Sequence, residues 1–216
     1  MQKILEKFNP YLTCDGETEQ WYFEHLQKLI NDSSTKIRTF VVKPEITKNP
    51  ANFAKTKITI CKRKWYHIMD RETSSGSDTS GFNNILDSLR EVKFKAKPIL
   101  GYSNVSFELW ILLHKIDMAQ SVNGAKDYWR LIQKAYHLAN ITSFDKYKKE
   151  QNFQRVLNQI DLSDVVRAIN NAEKLEAWNL NTCTPRRRSG FVFYEDNPAL
   201  SVHKVVKDIL KEVGII

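Results

Sequence analysis

The sequence contains no run of about 18 apolar residues, so no membrane span is expected. It is also short of every common metal or nucleophile signature. Its three cysteines, Cys14, Cys61 and Cys183, are far apart and form no CxxC pair. That argues against a disulfide framework and a structural zinc site, and it fits the reducing cytoplasm. Five scattered histidines give no metal-ligand spacing, and no Ser-His-Asp arrangement is legible. No G-x-x-x-x-G-K-[ST] run is present, so P-loop binding of ATP is not expected. The opening MQKILEKFNP carries charge inside its apolar stretch and lacks a cleavable signal pattern. Internal repeats and low-complexity tracts are absent too.

What is there reads as a globular chain of 216 residues, with 42% hydrophobic and 11% aromatic residues. A formal net charge of +8 favours polyanionic partners, nucleic acid first.

PYLTCD reads as a buried strand closed by Gly16, and ETEQWYFEHLQKLI as a helix with an acidic first turn. IRTFVV, WYHIMD and KPILGYSN read as further strands. Helices are expected from Pro50, over FNNILDSLREV and over VSFELWILLHKI. The order up to about residue 117 is β-α-β-(α)-β-α-β-α, which predicts an α/β fold with a mainly parallel sheet covered on both faces. From about residue 120 the pattern is helical, and the chain is expected to end in a helix opened by Pro198. The division expected is 1–118 for the α/β core and 119–216 for a helical region packed on it.

Two of these strands end in acids. Asp15 follows YLTC and Asp70 follows WYHIM, with Glu19 four residues beyond the first and Glu72 two beyond the second. Residues four apart share a helix face, and residues two apart share a strand face. If the two strands are neighbours, four carboxylates converge at one sheet edge, and oxygen ligands of that kind suit Mg²⁺ or Mn²⁺. Caps or solvated charges would place acids at the same positions. Glu108, inside SFELWILLHK, is a further acid in apolar surroundings, read either as a water-facing first-turn residue or as part of the metal site. His114 reads as a buried residue in a structural hydrogen bond.

Basic clusters stand at Lys62, Arg63 and Lys64, at KFKAK (93–97), at KYKK (146–149) and at Arg186, Arg187 and Arg188. A solvated surface is the default for each. The three arginines of TPRRRSGF lie in what reads as a basic loop able to straddle a phosphate backbone.

CDGETEQWYFEHL, HIMDRE, SNVSFELWILLH and NPALSVHKVV, in this order, resemble the RloB family, a branch of the Toprim superfamily. The likeness touches most of the chain and is weakest between 120 and 190. Two positions depart from the Toprim pattern: Asp15 stands where Glu is usual, and Asp70-Arg71-Glu72 where D-x-D is usual. The resemblance implies a Toprim-like fold and Mg²⁺- or Mn²⁺-dependent phosphodiester chemistry. Asp15 and Glu19 would form one set of ligands, Asp70 and Glu72 the other, with Glu108 in or beside the site. Lys149 matches a lysine that follows a Tyr in that family and would stabilise charge on the phosphoryl group.

The reading is therefore a cytoplasmic nuclease acting on DNA or RNA in bacterial anti-phage defence, with room for an ATPase partner subunit and for a homodimer. The alternative is a catalytically weak nucleic-acid-binding or regulatory module on the same fold. A phosphatase-like hydrolase with an aspartyl nucleophile is disfavoured by the acid-Gly-x-x-Glu turn.

Overall fold

Four parallel strands form the central sheet of the computed structural model, in the order β4 (Glu45–Ile46), β2 (Tyr11–Cys14), β5 (Trp65–Arg71), β6 (Ile99–Asn104). The structure describes residues 5–58, 63–71, 78–92, 97–117, 124–196 and 198–216. An α/β fold with a parallel sheet and C-terminal helices is what the strand–helix alternation predicts. Among the described residues the short strands β1 (Lys7–Phe8) and β3 (Thr39–Phe40) pair only with each other, so IRTFVV does not join the main sheet. Its place on that edge is taken by the two residues of β4.

Side chains alternate across the sheet, and each face has its own cover. Leu12, Cys14, Tyr66 and Ile68 point into the larger apolar core. That core is filled by α1 (Glu17–Asp32), α4 (Glu108–Leu113) and helices from later in the chain: α5 (Ala125–Ala135), α6 (Phe144–Tyr147), α7 (Glu150–Leu157), α8 (Leu162–Thr182) and α9 (Val202–Glu212). Trp65, Met69, Leu100 and Tyr102 point the other way. They pack against α2 (Pro50–Lys57), α3 (Asp78–Glu91) and the antiparallel hairpin of β7 (Pro185–Arg188) and β8 (Phe191–Tyr194). The larger core draws on residues from both sides of position 118.

Local chemistry explains most boundaries. Asn49 caps α2 by accepting from the Asn52 amide, and Pro50 takes the first helical position, where no amide is required. The helical pattern after residue 150 is carried by two helices, α7 and α8. It breaks where Asp161 and Asp164 form a reciprocal capping box at the start of α8. Every residue of α4 is buried, which is why its sequence is apolar all round apart from Glu108. Gly101 in β6 admits α9: a Cβ there would lie 2.7 Å from Ile68 Cδ1 and 3.3 Å from the Val202 backbone.

Two expectations for the C-terminal part are corrected. TPRRRSGF is not a loop but one strand and the turn of the β7–β8 hairpin, with Ser189 and Gly190 at positive φ in the turn. Pro198 does not open the last helix, which begins at Val202. Residues beyond Pro198 run extended along the outer edge of β6: the Asn104 amide donates to Ala199 O at 2.8 Å and the Ser201 amide to Tyr102 O at 2.7 Å.

Candidate functional site

Strand order decides where a ligand can sit. After β2 the chain adds β4 on one side, then crosses back to add β5 on the other. That reversal leaves a crevice outside the carboxyl ends of β2 and β5, the usual ligand position in open parallel sheets. A cavity of about 490 Å³ lies there, with Asp15, Glu19, Lys48, Asp70, Ser80 and Lys148 on its walls.

Each acid arrives by a different element. Asp15 is the first residue past β2, and Gly16 follows as the N-cap of α1. Glu19 stands in the first turn of α1, 3% exposed, and accepts from Thr18 Oγ1 at 3.0 Å. A Cβ at Gly16 would lie 2.9 Å from Glu19 Oε2, so the glycine makes room for this carboxylate. Asp70 opposes Ser103 in the β5–β6 register. Alternation along β5 points its neighbour Arg71 to the opposite face, where Arg71 reaches Glu195 O at 3.2 Å. Glu108 opens α4 and is fully buried. Lys148, immediately after α6, reaches in with its ammonium 2.5 Å from Glu108 Oε1.

The charges are out of balance. Burial, then Glu19 and Glu108, push the Asp70 carboxyl well above the usual carboxylate range. Burial also raises Glu19, with Lys148 as the main opposing influence. Burial works against the Lys148 charge, yet Glu108, Glu19 and Asp70 together hold its pKa above the ordinary lysine value. Asp70 Oδ1 is buried and finds no hydrogen-bond donor among the described residues. A cation would supply what these oxygens lack.

The donor set has the right chemistry for a hard divalent ion, since carboxylate oxygens from three elements face one cavity. Its arrangement is less complete. Among the described residues no three His, Cys, Asp or Glu side chains are grouped to hold an ion. Glu72, named from the sequence, lies outside the described residues.

Of the residues singled out in the sequence, Asp15, Glu19, Asp70 and Glu108 come together. Lys149 does not: it is the exposed N-cap of α7, and its neighbour Lys148 occupies the site instead. Lys48 also lines the cavity, and nothing in its local sequence marks it. Arg63 and Lys64 precede β5, whose other end carries Asp70, a separation of about 20 Å at 3.3 Å per residue. They are engaged there: Arg63 lies over the Tyr11 ring and donates to Asn9, and Lys64 pairs with Asp208 and Glu212. Lys62 is outside the described residues. Arg186 pairs with Glu195, and Arg188 grips Asp87 through Nε and Nη2 at 3.0 and 2.6 Å. Arg187 pairs in register with exposed Val192 and points away from the face that carries buried Phe191 and Phe193. His114 is structural as expected, bonded to the Tyr22 hydroxyl and to Trp110 O.

Compared with known protein families, the chain matches RloB-like protein over residues 11–209. It belongs to the RloB-like family. That span runs from the first residue of β2 into α9, so it takes in every acid of the cavity, Lys148 and the β7–β8 hairpin. No curated protein and no solved structure matches the chain.

Proposed function

We propose that this RloB-like protein is a metal-dependent nuclease with a Toprim-like core, hydrolysing phosphodiester bonds of DNA or RNA in bacterial anti-phage defence. One observation carries the reading: Asp15, Glu19, Asp70 and Glu108, from four different elements, meet at the topological switch point with Lys148 as their immediate cation. Asp15, Glu19 and Asp70 would hold Mg²⁺ or Mn²⁺, with Glu72 following on the same segment. A bound divalent ion would activate water and offset charge on the scissile phosphate. Glu108 holds Lys148, whose raised pKa keeps it protonated through neutral pH, so the ammonium can meet a phosphate oxygen at the cavity wall. Lys48 stands on the cavity wall as a second cation. The defence role rests on family membership. ATP hydrolysis, where the system uses it, would come from a partner subunit, and a second copy of the chain is a further partner under this reading.

One observation favours the second reading, a catalytically weak binding or regulatory module: no three of the acids are grouped around an ion position among the described residues. The two are separated by incubating the protein with plasmid, single-stranded DNA and total tRNA in Mg²⁺, Mn²⁺ or EDTA. Cleavage is expected only with metal, and Asp70→Asn should lose at least ~100-fold of it while its thermal stability holds or rises. Metal-independent cleavage, or an Asp70→Asn protein as active as the parent, would overturn the assignment. Absence of cleavage under every condition would leave the module reading standing.

A further inference from the structure

An acidic cavity repels the polyanion it is read to cut, so substrate affinity has to come from cations elsewhere on the surface. We propose that the cavity between the carboxyl end of α3 and the turn of the β7–β8 hairpin seats a backbone phosphate of the strand being cut, several nucleotides from the scissile bond. The proposal rests on the reading of the acidic cavity as a phosphodiester site.

This second cavity, of about 390 Å³, is lined by Leu89, Arg90, Lys97, Ser189, Gly190 and Phe191. Among the described residues neither of its two cations, Arg90 and Lys97, forms an ion pair, although Arg90 adds to the positive charge acting on Asp87. The Lys97 ammonium stands 5.5 Å from the centroid of the Phe191 ring, which holds it over the cavity wall. The nearby acid is already satisfied. Asp87 takes two bonds from Arg188 and one from Ser189 Oγ at 2.7 Å, and these bonds hold its carboxyl below the usual range. Arg90 and Lys97 therefore remain as net positive charge. Gly190, at φ +87°, turns the hairpin and leaves the cavity without a side chain at that point. Its nearest neighbour for a Cβ would be Lys97 Nζ at 3.8 Å.

Helix α3 joins the two cavities. Ser80, Phe82 and Ile85 border the acidic one, and Leu89 and Arg90 border the basic one. Ten residues of helix from Ser80 to Arg90 span about 15 Å. The rise of about 3.4 Å per nucleotide is measured along a duplex axis, and phosphates on one backbone stand further apart than that, so about 15 Å covers fewer than about four phosphates. A strand lying along α3 would thus place its scissile bond among the acids and a phosphate a few positions away between Arg90 and Lys97. A contact so far from the reacting bond orients the strand and takes no part in the chemistry.

The test is binding without turnover, in EDTA and in the Asp70→Asn background. Fluorescence anisotropy is read with random-sequence single-stranded DNA and RNA probes of 3 and 12 nucleotides over a salt series. Arg90→Ala/Lys97→Ala is compared with Lys28→Ala/Lys211→Ala, two exposed lysines placed elsewhere. The expected result is a log–log salt slope shallower by about 1 to 2 units for the 12-nucleotide probe in the first variant alone. The 3-nucleotide probe, with fewer phosphates to set against the two cations, should bind more weakly throughout and show a smaller change of slope. Superimposable 12-nucleotide salt lines would overturn the proposal. So would calorimetry in which inorganic phosphate binds the parent and not the variant while those lines still coincide, because the cavity would then take free anions only. The two readings fail separately. A protein that cleaves with an unchanged slope loses only this subsite. One that never cleaves but shows the change keeps its nucleic-acid contact and loses the nuclease assignment.

Discussion

Replacing Lys148 with Met leaves Glu108, fully buried, facing Glu19 and Asp70 without its cation. Removing one partner of a buried pair costs about 3–5 kcal/mol, because the remaining charge keeps its desolvation penalty. Lys148 is 32% exposed at its side chain, so the lower end of that range applies. In a chain of this size, about 3 kcal/mol corresponds to a fall in melting temperature of roughly 6–12 °C. Glu108→Gln in the same background removes the stranded charge and should restore most of that loss, giving a double-mutant cycle with coupling of the order of 1–3 kcal/mol. The two cations also compete. If Mn²⁺ enters among Asp15, Glu19 and Asp70, it should raise the melting temperature of Lys148→Met more than that of the parent, since the ammonium no longer offsets the same carboxylates. Thermal melts of four proteins with Mn²⁺ or EDTA decide the matter. A Lys148→Met protein that melts with the parent in EDTA refutes the electrostatic account of this site. Equal Mn²⁺ shifts in the two proteins refute the competition.

Two further outcomes follow from buried groups. Burial lowers His67 and His114 to about 4, so between pH 6.5 and 4 the unfolded chain binds protons that the folded chain refuses. Stability should be full above pH 6.5 and fall below it, by about 2 kcal/mol per histidine at pH 5. The raised carboxyls of Asp70 and Glu19 act with the opposite sign, so the melts belong in the Glu19→Gln/Asp70→Asn background, where a flat profile from pH 7.5 to 5 would contradict the assignment. Gly16→Ala tests the space given to Glu19: φ at this residue is −148°, which alanine tolerates, but its Cβ would displace Glu19 Oε2. Calorimetric Mn²⁺ affinity should drop at least ~10-fold with the melting temperature within about 3 °C of the parent, and unchanged affinity would remove Glu19 from the ligand set.

The acids of the site were legible because each stands where a strong pattern stops. Asp15 and Asp70 end apolar runs, Glu19 opens an amphipathic helix, and Glu108 interrupts an apolar one. Parallel pairing then gathers whatever stands at those ends. Lys148 was missed by a single position, because KYKK carries no periodicity and α6 is four residues long. Lys148 is the C-cap of α6 and Lys149 the extended N-cap of α7, so the backbone turns between them and sends one lysine into the cavity and the other into water. Charge composition gave Arg63 and Lys64 no address either, although strand polarity does: residues preceding β5 and residues ending it lie at opposite edges of the sheet. The hairpin was unreadable in PRRR, a strand exposed at all four positions, and its partner FVFY is too short to decide the matter. The two-residue strands β1 and β4 leave no pattern at all, and IRTFVV marks β3 without showing which sheet it joins.

The extended segment that follows Pro198 also imposes an order of events during synthesis. The Tyr102 amide donates to Ser201 Oγ across a separation of 99 residues, and Ser103 forms an isolated bridge with Leu200. At about 5–20 residues per second, a ribosome needs roughly 5–20 s to make the later partner after the earlier one. Throughout that interval the outer edge of β6 carries unpaired amides and carbonyls, and the Asn104 side chain, which will donate to Tyr194 O and Asp196 O, has nothing to hold. The strand that pairs with Asp70 is therefore completed only when the last helix emerges. A nascent chain of this protein carries its acids early and an assembled cavity late, so truncated products should lack that cavity and be prone to pairing through the open edge.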